Sequence, residues 1–279
     1  MIRNAQQLKA KILNLTHGDS RKSQIYLRNF FMERFLERIS VSSFQDNFIL
    51  KGGLLVTSLV GLDLRATMDI DSTVKGMPLN EKETVEIIQS IIKEPLSDQV
   101  NLILSRSSTI KGELDYPGLR FSIQGIFDGI RQAIRIDLST DEIITPGAVS
   151  YNYRLMFEDR SIHLMTYNLG TLIAEKFETM ITRGAANTRM RDFYDIFLFA
   201  WLDNFDHDTL RSAITNTVSK RSSKLQLEDY RQIMQEVASS SLMEAAWEGF
   251  KRQSYFVDDL SWEEVVRENI LLADKVLAE

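Results

Sequence analysis

Apolar positions in residues 1–40 recur at helical spacing and predict two helices. In the second, Leu27, Phe31, Phe35 and Ile39 step by four along one face, leaving Arg28, Glu33, Arg34 and Glu37 outside it. From there the period changes. Strand signals stand at 47–50, 68–74, 101–110, 118–126, 131–139 and 161–166, with helical stretches between them. One of these opens at Asn80 with Glu83, a capping arrangement, and ends near Pro95. Beyond Tyr167 only helices are predicted, over 168–183, 189–202, 206–218, 226–238, 241–252 and 261–277. In the last, Ser261 and Glu264 form a capping-box pattern, and Trp262, Val266, Ile270, Ala273 and Leu277 line one face. Pro78, Pro95, Pro117 and Pro146 all precede this region. The pattern predicts an α+β chain: an α/β part over 1–166 and an all-helical part over 167–279. No Gly/Ser linker divides them, so they are expected to pack as one unit.

Composition narrows the chemistry. The chain has no Cys, which removes disulfides, thiolate metal sites and a cysteine nucleophile. Three scattered histidines, His17, His163 and His207, weaken a His-based metal site or triad. The amphipathic N-terminus lacks the apolar core of a secretory signal, and no apolar run has the length of a membrane span, so a cytoplasmic protein without membrane contact is expected. A net charge of −6 gives no global pull toward nucleic acid, but a local basic cleft can act within an acidic protein. Candidate patches are Arg183 to Arg191, and Lys220-Arg221 with Lys224.

The segment from Phe48 to Asp71 carries the densest chemistry. Asp69 and Asp71 are one residue apart on a predicted strand, so their carboxylates share a face while Met68 and Ile70 take the other. Like charges held this close favour a cation between them, and hard oxygen donors suit Mg²⁺. The same alternation also suits plain surface acids. Further on, Ile134, Ile136 and Leu138 share one face and leave Arg135 and Asp137 on the other, where Asp137 becomes a candidate third carboxylate if the two strands are neighbours. Lys51-Gly52-Gly53 ends a strand and opens a helix, whose N-terminal amides favour anions such as a triphosphate. Arg65 and Thr67 lie just before the Asp pair, and Arg65 could contact phosphate or pair with the carboxylates.

A second constellation lies between Leu172 and Phe199. Lys176 and Arg183 share one helix face; Asp192 and Asp195 share a face of the next helix. These charges sit among Phe177, Met180, Phe193, Ile196 and Phe197, a setting in which charges are paired or functional. No GxxxxGK[ST] loop and no GxSxG elbow occurs, which argues against a P-loop NTPase and a serine hydrolase.

The order Lys51-Gly52-Gly53, Arg65-x-Thr67-x-Asp69-x-Asp71, Ala174-Glu175-Lys176 with Arg183, and Arg191-Asp192-x-x-Asp195 resembles the AbiEii/AbiGii toxin family of the DNA polymerase β-like nucleotidyltransferase superfamily, including MenT-type tRNA-modifying toxins. The resemblance implies a nucleotidyltransferase-type mixed sheet with flanking helices, followed by a helical bundle. It implies transfer of a nucleoside monophosphate from an NTP with Mg²⁺ (or Mn²⁺), onto the tRNA acceptor end, in a toxin–antitoxin or phage abortive-infection system with a cognate antitoxin. On this reading Asp69, Asp71 and Asp137 hold metal, and Asp69, Asp71, Lys176 and Asp192 carry catalysis. Lys51, Gly52, Gly53, Arg65, Thr67 and Arg183 bind nucleotide or phosphate, with Asp195 and Arg191 behind them. A protein or small-molecule acceptor, or a non-catalytic nucleotide-binding module, stands as the alternative. Gly53 departs from the Ser common in the superfamily, so contact there must come from the backbone.

Overall fold

The computed structural model describes residues 2–77, 79–110, 118–202, 205–257 and 259–277; Pro78 and Pro117 lie outside them. By internal packing the chain divides into two compact units. One is Met1–Glu142 with Val149–Thr166; the other is Ile143–Ala148 with Tyr167–Glu279.

The first unit runs α1 (Ala5–Thr16), α2 (Ser20–Val41), β1 (Phe48–Lys51), α3 (Gly52–Val60), β2 (Ile70–Val74), α4 (Glu81–Ile92), β3 (Asn101–Ile110), β4 (Gly118–Phe127), β5 (Ile130–Thr140), β6 (Val149–Arg154) and β7 (Ser161–Thr166). Its mixed seven-stranded sheet has the order β3-β4-β5-β2-β1-β7-β6. β2 runs antiparallel to β1 and parallel to β5, while β3, β4 and β5 form an antiparallel meander. Strand β6 carries no clear alternation and is not predicted from the sequence. Asn80 caps α4 as expected, its side-chain oxygen accepting from the Glu83 N–H at 3.0 Å.

Two sequence expectations need correction. β2 begins at Ile70, so Met68 lies before the strand and is 37% exposed instead of facing the core. In α2, Glu33, Arg34, Glu37 and Arg38 are buried along with Phe31, Phe35 and Ile39. The helix is covered on its polar side too: α1 and β7 pack against it, and the turn after β6 brings the Met156 N–H to Glu33 and Glu158 to Arg34. Burial is made tolerable by pairing. Arg38 grips both oxygens of Asp98 at 2.7 and 3.1 Å, and Arg34 reaches Glu158 at 3.1 Å.

The second unit holds α5 (Leu169–Arg183), a 3₁₀ turn (Gly184–Ala186), α6 (Met190–Leu202), α7 (His207–Lys220), α8 (Lys224–Glu228), α9 (Tyr230–Ser239), α10 (Ser241–Gln253) and α11 (Trp262–Leu277). The single helix expected over 226–238 is two, broken at Asp229, whose amide caps α8. α5 packs on α7, and α6 on α11, where the Phe193 and Trp262 rings meet edge-on at 5.0 Å. The capping box of α11 forms as read: the Ser261 N–H donates to Glu264 Oε2 at 2.9 Å, and the Glu264 N–H to Ser261 Oγ at 3.2 Å.

Candidate active site

One transverse row of the sheet collects the charges. Lys51 on β1 stands opposite Asp71 on β2, Asp71 opposite Asp137 on β5, and Asp137 opposite Arg120 on β4. Register partners share a face, so Asp71 and Asp137 lie side by side, while Asp69, expected on the same strand, falls before β2 begins. Ile134, Ile136 and Leu138 fill the opposite face, all buried. Asp69 sits in the bend just before β2, with Arg135 Nε 3.5 Å from its Oδ1. Lys51 is ion-paired with Glu142.

The two glycines are required by this unit's own side chains. Gly52 has φ +62, and an added Cβ would lie 2.3 Å from Asp71 Oδ2. Asp71 nestles against the first turn of α3 and accepts the Gly53 N–H. A Cβ on Gly53 would lie 2.7 Å from Thr67 Oγ1 and 3.2 Å from Arg65 Nη2. Arg65 and Thr67 are 2% and 5% exposed. Both lie buried against the turn that Gly53 opens.

Electrostatically the site crowds the carboxylates of Asp69, Asp71 and Asp137 together among the cations Lys51, Arg120, Arg135 and Arg28. Burial raises the pKa of Asp71, and Asp137 and Asp69 raise it further; the Lys51 ammonium and the Gly53 amide oppose them. Asp69 is raised in the same way, by burial and then by Asp137, against the fields of Arg135, Arg120 and Arg28. Two hard carboxylates that strain against ionisation suit a divalent cation. Asp137 fits less well. Arg120 holds it in a two-pronged pair, Nε to Oδ1 at 2.7 Å and Nη2 to Oδ2 at 2.5 Å. Among the described residues no group of three or more His, Cys, Asp or Glu is arranged to hold an ion. Asp69 and Asp71 are carboxylates that could hold a cation, while Asp137 is engaged by Arg120. Arg120 is absent from the sequence reading, although Leu119, Phe121 and Ile123 alternate around it and signal its face.

The second unit holds its own cluster. Lys176 on α5 is 9% exposed, and its Nζ lies 2.8 Å from Asp192 Oδ1 and 2.8 Å from Asp195 Oδ2 on α6. Asp195 is fully buried, so the charges among large apolar residues are paired, as their setting predicted. Arg183 ends α5 half-buried, and Arg191 is exposed in the first turn of α6. Of the other candidate patch, Arg221 turns inward to Glu178 at 2.7 Å and Glu175 at 3.4 Å.

No helix among the described residues is long and apolar enough to cross a membrane. No curated protein matches the chain. Two solved structures resemble it at TM-score 0.49 and 14% identity: a candidate nucleotidyltransferase from H. pylori, and JHP933 from Helicobacter pylori. Each comparison covers 91% of this chain, with 94% and 91% of the other chain. The family model for the nucleotidyl transferase AbiEii toxin of type IV toxin–antitoxin systems matches residues 34–268, a span containing every candidate residue above. The chain belongs to the AbiEii toxin family and is a nucleotidyltransferase.

Proposed function

We propose that this nucleotidyltransferase transfers a nucleoside monophosphate from an NTP to a hydroxyl of an RNA acceptor, the tRNA acceptor end, and so arrests growth under control of its antitoxin. Phage-triggered abortive infection is the setting we propose for that arrest. The observation that carries the reading is the side-by-side placement of Asp71 and Asp137 on one sheet row, with Asp69 in the bend just before β2 and Asp71 seated on the first turn of α3.

In the proposed reaction the acceptor oxygen attacks the α-phosphorus, the bond to the β-phosphate oxygen breaks, and pyrophosphate leaves. A divalent cation, Mg²⁺ or Mn²⁺, would be held by Asp69 and Asp71, and would supply charge neutralisation at the phosphate oxygens. Asp137 would take the proton of the acceptor hydroxyl once Arg120 yields it. The amides of Gly52 and Gly53, with Lys51, favour the triphosphate. Lys176, steered by Asp192 and Asp195 and supported by Arg183, is assigned to nucleotide binding on the sequence motif, with Arg191 behind it. Catalysis on this account is positioning and electrostatics.

The test is incubation of the protein with labelled NTPs, Mg²⁺ and total tRNA. Label should enter RNA with the wild type and not with Asp69→Ala plus Asp71→Ala. Label on protein instead would establish a different acceptor, and equal labelling by the double variant would sink the assignment.

A further inference from the structure

We infer that the open face of the β3-β4-β5 meander is the track on which the acceptor RNA strand lies. This deepens the function proposed above and rests on it only for the direction of the strand, reacting end toward Asp69 and Asp71. The face is fixed by register. Asp137 pairs with Arg120, Arg135 with Ser122, and Ser122 with Arg106, so all of them stand on one side of the sheet. Arg131 stands on the same side four residues before Arg135, since alternate residues of a strand share a face. The other side carries Leu119, Phe121, Ile123, Ile134 and Ile136, all buried.

The open side also carries Ile103, Ile110 and Ile126, but its charged positions other than Asp137 are arginines. Arg106, Arg131 and Arg135 are exposed, and Arg120 keeps 40% of its side chain accessible despite its pair with Asp137. Arg106 and Arg131 have no ion-pair partner among the described residues. In a chain of net charge −6, two unneutralised guanidinium groups on an exposed face are out of keeping with their surroundings. Of the strand positions on this face in β3, β4 and β5, Asp137 alone is acidic. Polar Ser122 and Gln124 lie between the arginines, suited to hydrogen-bond sugars and base edges.

The arrangement has a direction. From Asp137 to Arg131 the strand covers about 20 Å at roughly 3.4 Å per residue, and Arg106 on β3 lies about 10 Å to the side, two strand spacings away. A basic lane therefore begins at the reacting carboxylates and runs outward to the sheet edge. A strand carrying one negative charge per nucleotide matches it, because guanidinium groups neutralise phosphates and release counterions.

The test is fluorescence anisotropy with a labelled single-stranded RNA oligonucleotide, without NTP, over a range of salt. Arg106→Glu with Arg131→Glu should weaken binding at least tenfold and lower the salt slope by about 1.4, at roughly 0.7 per lost phosphate contact on a single strand. The milder pair Arg106→Gln and Arg131→Gln should move both in the same direction, guarding against a folding defect. Arg252→Glu with Arg267→Glu, an equal reversal at two exposed positions of the second unit, should change neither. RNA binding that is undetectable in the wild type, untouched by the Arg106 and Arg131 changes, or lost equally with the control pair would overturn the proposal. Binding of a fluorescent NTP analogue is measured in parallel and should stay within twofold in every variant. Failure of the wild type on that arm would strike the nucleotidyl-transfer reading and leave the RNA track to be judged on the anisotropy alone.

Discussion

Gly52 and Asp71 are mutually dependent. The carboxylate of Asp71 occupies the place where a side chain at position 52 would begin, 2.3 Å from an ideal Cβ, and the φ of +62 at Gly52 is itself disfavoured for any other residue. Gly52→Ala must therefore move Asp71, rotate the turn, or both. Displacement of a reacting group by about 1 Å costs on the order of 100-fold. We expect Gly52→Ala to lose roughly that factor in kcat/KM for nucleotide transfer, while Gly61→Ala, where φ is also positive but nothing lies within 4 Å of an added Cβ, keeps its activity.

Lys176 is the shared counterion of Asp192 and Asp195, one of them fully out of solvent. Removing one member of a buried pair leaves uncompensated charge, at a cost of about 3–5 kcal/mol. Lys176→Met should destabilise the protein to that extent in urea unfolding. Adding Asp195→Asn to it should recover part of the loss, because the stranded charge is then gone.

Glu33 gives a pH signature. Burial pushes it up to about 8, with Glu158 adding to the shift and Arg34, the Met156 amide and Asn29 opposing it. The folded state then holds a proton that the unfolded chain releases near pH 4.5. Stability from this group is complete below that value and is lost as pH rises toward 8. Glu33→Gln cannot lose the proton. Its melting temperature relative to the wild type should rise between pH 5 and pH 9, by at least about 2 °C, the shift of ~1 kcal/mol in a chain of this size. A difference constant with pH would contradict the assignment.

Gly125 lies under α2, where an added Cβ would come within 2.2 Å of Phe31 Cδ1. Phe31 is fully buried and has nowhere to retreat. Gly125→Ala should cost about 1–3 kcal/mol by overpacking, measured by denaturant unfolding.

What the sequence made legible follows from the range of each signal. Asp71 and Asp137 are readable because alternation is local: each strand announces its own two faces. The caps at Asn80 and Ser261 are local in the same sense. That Asp71 stands beside Asp137, 66 positions on, depends on strand order, which no short window contains. Arg120 was missed for the same reason. Its alternation was visible, but its partner was not. Met68 was misplaced because a strand's first residue is set by the preceding loop. The burial of the α2 charges is not legible because helical period shows which residues differ, and not how many sides are covered. The glycine pair suggested a phosphate turn, and its first demonstrable duty is to admit Asp71, Thr67 and Arg65.

The central claim is nucleotidyl transfer dependent on Asp71, and paired isotopes test it most directly. The protein is given total tRNA, Mg²⁺ and NTPs labelled at either the α- or the γ-phosphate. The account predicts that α-label enters RNA, that γ-label leaves as pyrophosphate, and that Asp71→Asn abolishes the incorporation. Transfer of γ-label to RNA, or α-label incorporation undiminished in Asp71→Asn, would contradict it.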